Sequence, residues 1–163
     1  MQTLIGDTHI VQALYPRASG GAVTGDFISL KNYGGVSIII QIDVTSGATD
    51  SSITLEQAKD VTDSGSVSKA LEFDYMWANL DTETSDALVK TAVVSDTFEA
   101  GGVTKSCLYV IEVKAEDLDV DNGYDCLQVL SGAVATANLA ILYVLHTPRY
   151  RDQVPTNQSA ITN

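Results

Sequence analysis

The stretch "DLDVDNGYD", Asp117 to Asp125, alternates carboxylates with other side chains. Such spacing could begin a calcium loop, because hard cations take oxygen ligands from every second residue. The full pattern needs acids at positions 1, 3 and 5, a glycine at 6 for the sharp turn and a glutamate at 12 for a bidentate grip. Asp117, Asp119 and Asp121 fill the first three places, but Asn122 stands at 6 and Gln128 at 12. The expectation is a solvated acidic loop with no metal ligand. Leu118 and Val120 would turn inward, and Gly123 would start the next strand.

Other chemistry is equally thin. His9 and His146 are the two histidines, with no cysteine or acidic pair at metal-ligand spacing beside either. No nucleophile elbow or oxyanion segment accompanies them, so both are expected at the surface and no catalytic residue is assigned. The pairs Gly20–Gly21, Gly34–Gly35 and Gly101–Gly102 lack a phosphate-loop lysine and read as turns. Trp77, Tyr75 and Phe73 could make a platform for a sugar, yet on an alternating strand they are expected in the core. Cys107 and Cys126 lie in apolar runs and read as buried free thiols; a bridge between neighbouring strands stays open at this level. No cofactor site is expected.

Charge says more. The net charge is -12. That argues against nucleic acid and anionic membrane surfaces, both of which require clustered lysine and arginine. Nineteen of the 21 acids lie in Gly25–Leu145 against six lysines, about -13, whereas all three arginines sit in the two ends, which sum to about +1. The last residues, "HTPRYRDQVPTNQSAITN", carry two of those arginines and no core-forming pattern. The N-terminus lacks the basic, apolar and small-residue order of a signal peptide, and the longest apolar run, around "ANLAILYVL", is far too short to span a membrane. The expectation is a soluble protein made in the cytoplasm.

The elements that would position these residues are strands. "VSIIIQIDV" puts Val36, Ile38, Ile40, Ile42 and Val44 on one face at period two. "SITLEQAKDV" does the same with Ile53 and Leu55, and "KALEFDYMWANL" with Leu71, Phe73, Tyr75 and Trp77. "LVKTAVVSDTFEA" reads as one strand or two, and "SCLYVIEVKA", "YDCLQVLSG" and "NLAILYVLH" complete the set. No stretch keeps a helical period over a useful length. Short strands at even spacing with turns between them predict an all-β, antiparallel β-sandwich or jelly roll in a single domain. The predicted organisation is an N-terminal arm over 1–24, a β-sandwich over 25–147 and a C-terminal arm over 148–163. Pro148 is expected to stop the last strand as a paired central strand.

The order "ITLEQAKDVTDSGSVSKALEF", "LYVIEVKAEDLDVDNGYDCLQV" and "NLAILYVLHTPRYRDQVP" resembles small virion structural proteins of tailed bacteriophages. The resemblance rests on a "TLxxA" strand (Thr54, Leu55, Ala58), a "KAL" strand (Lys69, Ala70, Leu71), an "LD…GY" corner (Leu118, Asp119, Gly123, Tyr124) and an "RY" tail (Arg149, Tyr150). It implies a non-enzymatic head protein of decoration or minor-capsid type on the capsid surface of the virion. Its partners would be the major capsid protein and other copies of itself, as a homo-oligomer such as a trimer. A tail, neck or connector protein of the same virion is one alternative. A carbohydrate- or receptor-binding sandwich using Trp77 or the Asp117–Asp125 loop is another. Tyrosine and arginine are favoured interface anchors, so Tyr15, Arg17, Arg149, Tyr150 and Arg151 are the expected partner-binding residues.

Overall fold

A computed structural model describes residues 7–47, 50–62, 68–133 and 136–149. Twelve strands appear among them: β1 (Thr8–Ala18), β2 (Val23–Thr24), β3 (Ile28–Ser29), β4 (Tyr33–Val44), β5 (Asp50–Ala58), β6 (Lys69–Ala70), β7 (Phe73–Asn79), β8 (Val89–Ser95), β9 (Thr97–Gly101), β10 (Ser106–Lys114), β11 (Cys126–Ser131) and β12 (Ala137–Pro148). Two short 3-10 turns, Ala115–Asp117 and Val120–Asn122, join β10 to β11. One sheet has the order β1-β12-β4-β10-β7-β8. The other runs β2-β11-β5-β6, with β3 also on β11 and β9 also on β5. All pairings are antiparallel. The fold is the β-sandwich that the strand pattern predicts.

Alternation builds the core. β4 lies between β12 and β10, and its residues Val36, Ile38, Ile40, Ile42 and Val44 are all at most 2% exposed. In register, Ile40 stands between Ile141 and Tyr109. From the second sheet, Ile53, Leu55, Leu127 and Val129 close the interior with no exposure. Two tyrosines of the larger sheet bridge to the smaller one. Val129 N–H donates to the Tyr143 hydroxyl at 3.0 Å, and Gly101 N–H donates to the Tyr109 hydroxyl at 2.9 Å. Burial pushes the Tyr109 hydroxyl up to about 12 and raises that of Tyr143 as well, so both stay protonated and polar without carrying charge.

Two crossings explain segments that the sequence leaves ambiguous. "KALEFDYMWANL" is not one strand: β6 belongs to the smaller sheet and β7 to the larger. "LVKTAVVSDTFEA" divides likewise into β8 and β9, with a bend at Asp96 between them.

Several expectations change. Thr8–Ala18, read as arm, is an edge strand paired along β12 from Thr8↔His146 to Ala18↔Asn138. Two register breaks, between Gln12 and Leu14 and between Leu14 and Arg17, interrupt its alternation and hide it from period-two reading. At the other end, β12 continues through Pro148, which stands opposite Tyr33, and the Arg149 N–H donates to the Asn32 carbonyl at 2.9 Å. A proline at a strand end loses only its own donor, so pairing survives it. The sandwich therefore includes Arg149. Gly34 and Gly35 are not a turn but part of β4. A Cβ on Gly35 would lie 2.8 Å from His146 Cε1 and 2.9 Å from the Val113 carbonyl oxygen, and one on Gly34 would lie 2.9 Å from Thr147 Cβ. Close approach of β12 and β10 demands glycine there. Gly35→Ala is accordingly expected to destabilise the protein by about 1–3 kcal/mol, read as a lower urea midpoint at unchanged slope. Gly101 and Gly102, by contrast, do make a turn, with φ of 94° and 71°.

Phe73, Tyr75 and Trp77 do not share the core face. Pairing of β7 with β8 shifts register between Phe73 and Tyr75, and beyond the shift Met76 and Ala78 are the buried residues. A one-residue slip sends side chains to the opposite face, so Tyr75 and Trp77 lie half-buried on the outside.

Candidate functional site

The acidic loop is committed to structure. Asp119 pairs with Lys69, and its two carboxylate oxygens accept from Asn122 Nδ2 at 2.8 and 2.9 Å. The Lys69 hydrogen bond, then that of Asn122, holds the Asp119 carboxyl below the usual carboxylate range. Asp119 N–H donates to Gln57 Oε1 at 2.8 Å, which latches the loop to β5. Leu118 is buried as expected; Val120 is exposed, because it lies in the outward 3-10 turn. Gly123, at φ 84°, turns the chain toward β11 as expected. Among the described residues no group of three or more histidine, cysteine or acidic side chains is placed to hold a metal ion.

Both cysteines are buried free thiols in different sheets. Burial, then the neighbouring Asp125 carboxylate, pushes the Cys126 thiol up to about 12, and burial raises Cys107 too. A raised thiol pKa leaves almost no thiolate at pH 8, and the thiolate is the nucleophile. Neither cysteine is expected to react with an aromatic disulfide reagent within minutes in the native protein, whereas both react at once in denaturant. Prompt labelling of the native state would contradict the burial.

Of the five expected partner-binding residues, Tyr15 and Arg17 come together. They lie where β1 loses register against β12, so both side chains leave the sheet edge. Tyr15 is 58% exposed, and the Arg17 guanidinium carbon sits 5.4 Å from its ring centroid. This cation–π contact holds both groups outward. Arg149 is exposed beyond the far end of β12. Leu139, opposite Arg17, and Pro148 are nine residues apart along one strand, roughly 30 Å. The structure thus places Tyr15 and Arg17 at one end of the sheet and Arg149 at the other. No ion pair among the described residues uses Arg17 or Arg149. Tyr150 and Arg151 lie outside the described residues. His9 is half-buried at the rim of the inner face, with Nδ1 3.1 Å from the Tyr33 hydroxyl. His146 is half-buried on the outer side, 3.3 Å from Thr147 Oγ1.

The two outer faces differ in kind. On the smaller sheet, Thr54 and Thr97 share a hydroxyl hydrogen bond of 2.9 Å and Gln128 donates to Glu56 at 3.1 Å. On the larger sheet, Leu142, Ile39, Val110 and Trp77 stand opposite one another in register across β12, β4, β10 and β7, all half-buried. Beside this apolar row opens a cavity of about 470 Å3, lined among others by Pro16, Gln41, Asp43, Leu108, Asn138 and Ala140. Pro16 joins it to the Tyr15–Arg17 protrusion. Sequence reading missed this row, although "IIIQI" and "LYVIEV" carry its signal. Consecutive β-branched residues cannot all face inward. Lys90 Nζ lies over the Tyr75 ring at 3.6 Å and 5.9 Å from the Trp77 centroid, so it caps Tyr75 and only flanks Trp77.

No protein-family model matches the chain, and no curated protein is similar to it in sequence. Among solved structures it is similar to the SPBc2 prophage-derived protein YomS, at a TM-score of 0.44 and 11% identity over 85% of this chain and 93% of that one. A chain from the disulfide-linked pili of Bacillus endospore appendages gives a TM-score of 0.27 at 10% identity, over 87% of this chain and 86% of that one. A chain of infectious bursal disease virus, Gx strain, gives 0.26 at 10% identity, covering 93% of this chain and 42% of its own.

Proposed function

We propose that this is a non-enzymatic structural protein of a bacteriophage particle, which attaches to the capsid surface and links neighbouring subunits. The carrying observation is the contrast between the two outer faces. The smaller sheet carries the Thr54–Thr97 and Glu56–Gln128 hydrogen bonds on its outer face beside Leu130 and a small Phe27–Cys126 cluster, while the larger one presents a four-strand apolar row next to a cavity and a Tyr15–Arg17 protrusion. Tyrosine and arginine are favoured interface anchors, and an apolar row beside them supplies surface to bury. The placement in a virion comes from the strand-sequence resemblance to small phage head proteins. The C-terminal residues from Arg149 supply a second, separate contact, and their basic arginines suit an acidic neighbour. Co-sedimentation with purified capsids tests this reading: the protein is expected to pellet with particles and to stay in solution without them. Failure to pellet with capsids would sink it, and pelleting with tails alone would move the protein to the tail.

A further inference from the structure

The two edges of the larger sheet are unequal. β1 is guarded in the way natural sheets blunt their edges. It breaks register twice, carries Pro16, and spends its Ala13 carbonyl on the Asp26 N–H at 3.0 Å. β8 has fewer defences: a single register shift, near Val94 at its end, and no proline. Among the described residues its outer edge pairs with no strand. The smaller sheet is only four strands wide, since β2 and β3 share one side of β11 and β6 and β9 share one side of β5. β8 therefore overhangs the sandwich. Val89 and Thr91 stand opposite the core residues Ala78 and Met76, yet both are exposed, Val89 at 64%. Leu88 and Val94 are also exposed, at 40% and 74%. Val94 has φ 53°, a conformation that costs a β-branched residue strain and that holds its side chain out. Lysine commonly guards an edge, but Lys90 is turned onto the Tyr75 and Trp77 rings.

We propose that β8 is a self-association edge, and that a second copy of this chain pairs with it antiparallel about a two-fold axis at Thr91. The charge pattern selects a second copy. In a chain of net charge -12, β8 has no carboxylate and one lysine, so two copies can pair along it without the acid-on-acid repulsion that most of the surface would impose. The side chains select the register. A two-fold axis normal to the sheet keeps inner residues opposite inner ones, so it must pass midway between the two copies of a single residue. Centred on Lys90, it would oppose two lysines, which is unfavourable. Centred on Thr91, it sets Thr91 against Thr91, Lys90 against Ala92, Val89 against Val93 and Leu88 against Val94. The exposed apolar side chains then cover one another, and the sheet continues from copy to copy. Asp86 and Asp96 flank the strand and oppose each other beyond it, so added salt strengthens the pairing.

Self-association is read on the purified protein alone and so is tested independently of particle attachment. Sedimentation equilibrium at roughly 100 µM, where a small interface becomes occupied, is expected to give twice the 17.3 kDa chain mass. Thr91→Lys is expected to return the chain mass with an unchanged far-ultraviolet spectrum. Thr91→Cys is expected to form an intermolecular disulfide under mild oxidation, since directly opposed antiparallel residues lie within disulfide reach. The buried native thiols do not compete. Gln12→Cys on the guarded β1 edge is the control and is expected to stay monomeric. A monomeric wild-type protein at that concentration, or equal cross-linking of the Gln12→Cys and Thr91→Cys variants, would overturn the proposal.

Discussion

Tyr143→Ala is expected to bring the protein close to unfolding, and Tyr143→Phe to remove about 1–3 kcal/mol of its stability. Tyr143 has no exposed surface, and its hydroxyl accepts the Val129 N–H at 3.0 Å from the facing sheet. Phenylalanine fills the same space but leaves that N–H in the core without a partner. The loss is then the desolvation penalty of one buried donor. Alanine also deletes a large ring from the centre of the sandwich, where truncation of an aromatic residue costs about 3–5 kcal/mol. Against a total of about 5–15 kcal/mol, the alanine variant has little margin left. Urea unfolding separates the terms: a lower midpoint at unchanged slope is expected for both variants, with alanine the lower of the two. Tyr109→Phe should cost less, because the Gly101 N–H that it bonds lies at a half-exposed strand end where water can replace the hydroxyl. A Tyr143→Phe midpoint equal to wild type would mean that the hydroxyl does not join the sheets.

Replacing Tyr15 and Arg17 by serine is expected to weaken capsid attachment about tenfold or more, with thermal stability unchanged. Both side chains are exposed at a bulge, with the Arg17 guanidinium over the Tyr15 ring. Their truncation removes interface anchors, which typically carry about 2 kcal/mol each when they are central, without disturbing the core. Ending the chain after Arg149 is a separate experiment. The cut keeps the backbone bond from Arg149 to Asn32 and leaves every described strand intact. It removes Tyr150 and Arg151, and it too is expected to weaken attachment. Because the described chain ends at Arg149, roughly 30 Å along β12 from the position of Arg17, the two losses are expected to add in free energy. Sub-additive losses would indicate a single shared contact.

The sandwich was legible because the inward faces of β4, β5, β10 and β12 alternate with few interruptions. Ile38, Ile40 and Ile42 are buried as their spacing requires. What escaped reading lies where register slips. The breaks around Leu14 disguised β1 as an arm, and the shift beside Phe73 turned Tyr75 and Trp77 outward. Local pattern holds no information about such slips, since a pairing partner distant in sequence sets them. The glycines at 34 and 35 misled for a related reason. Glycine marks a turn and a close approach equally well, and only the position of His146 and Thr147 decides between them. For the candidate surface, sequence supplied residue types but not their grouping. It named Tyr15, Arg17 and Arg149 together, and the fold separates Arg149 from the other two. The apolar row on the larger sheet was concealed because Ile39, Val110 and Leu142 are far apart in sequence and look like ordinary core residues.

The most direct test of a capsid-attached structural role is the amount of this protein in purified particles, measured by quantitative mass spectrometry against the major capsid protein. The protein is expected to co-purify with particles at a copy number on the scale of the capsid lattice, and particles bearing the Tyr15 and Arg17 replacements are expected to carry fewer copies. Particles that contain none of it would rule out a capsid-attached role.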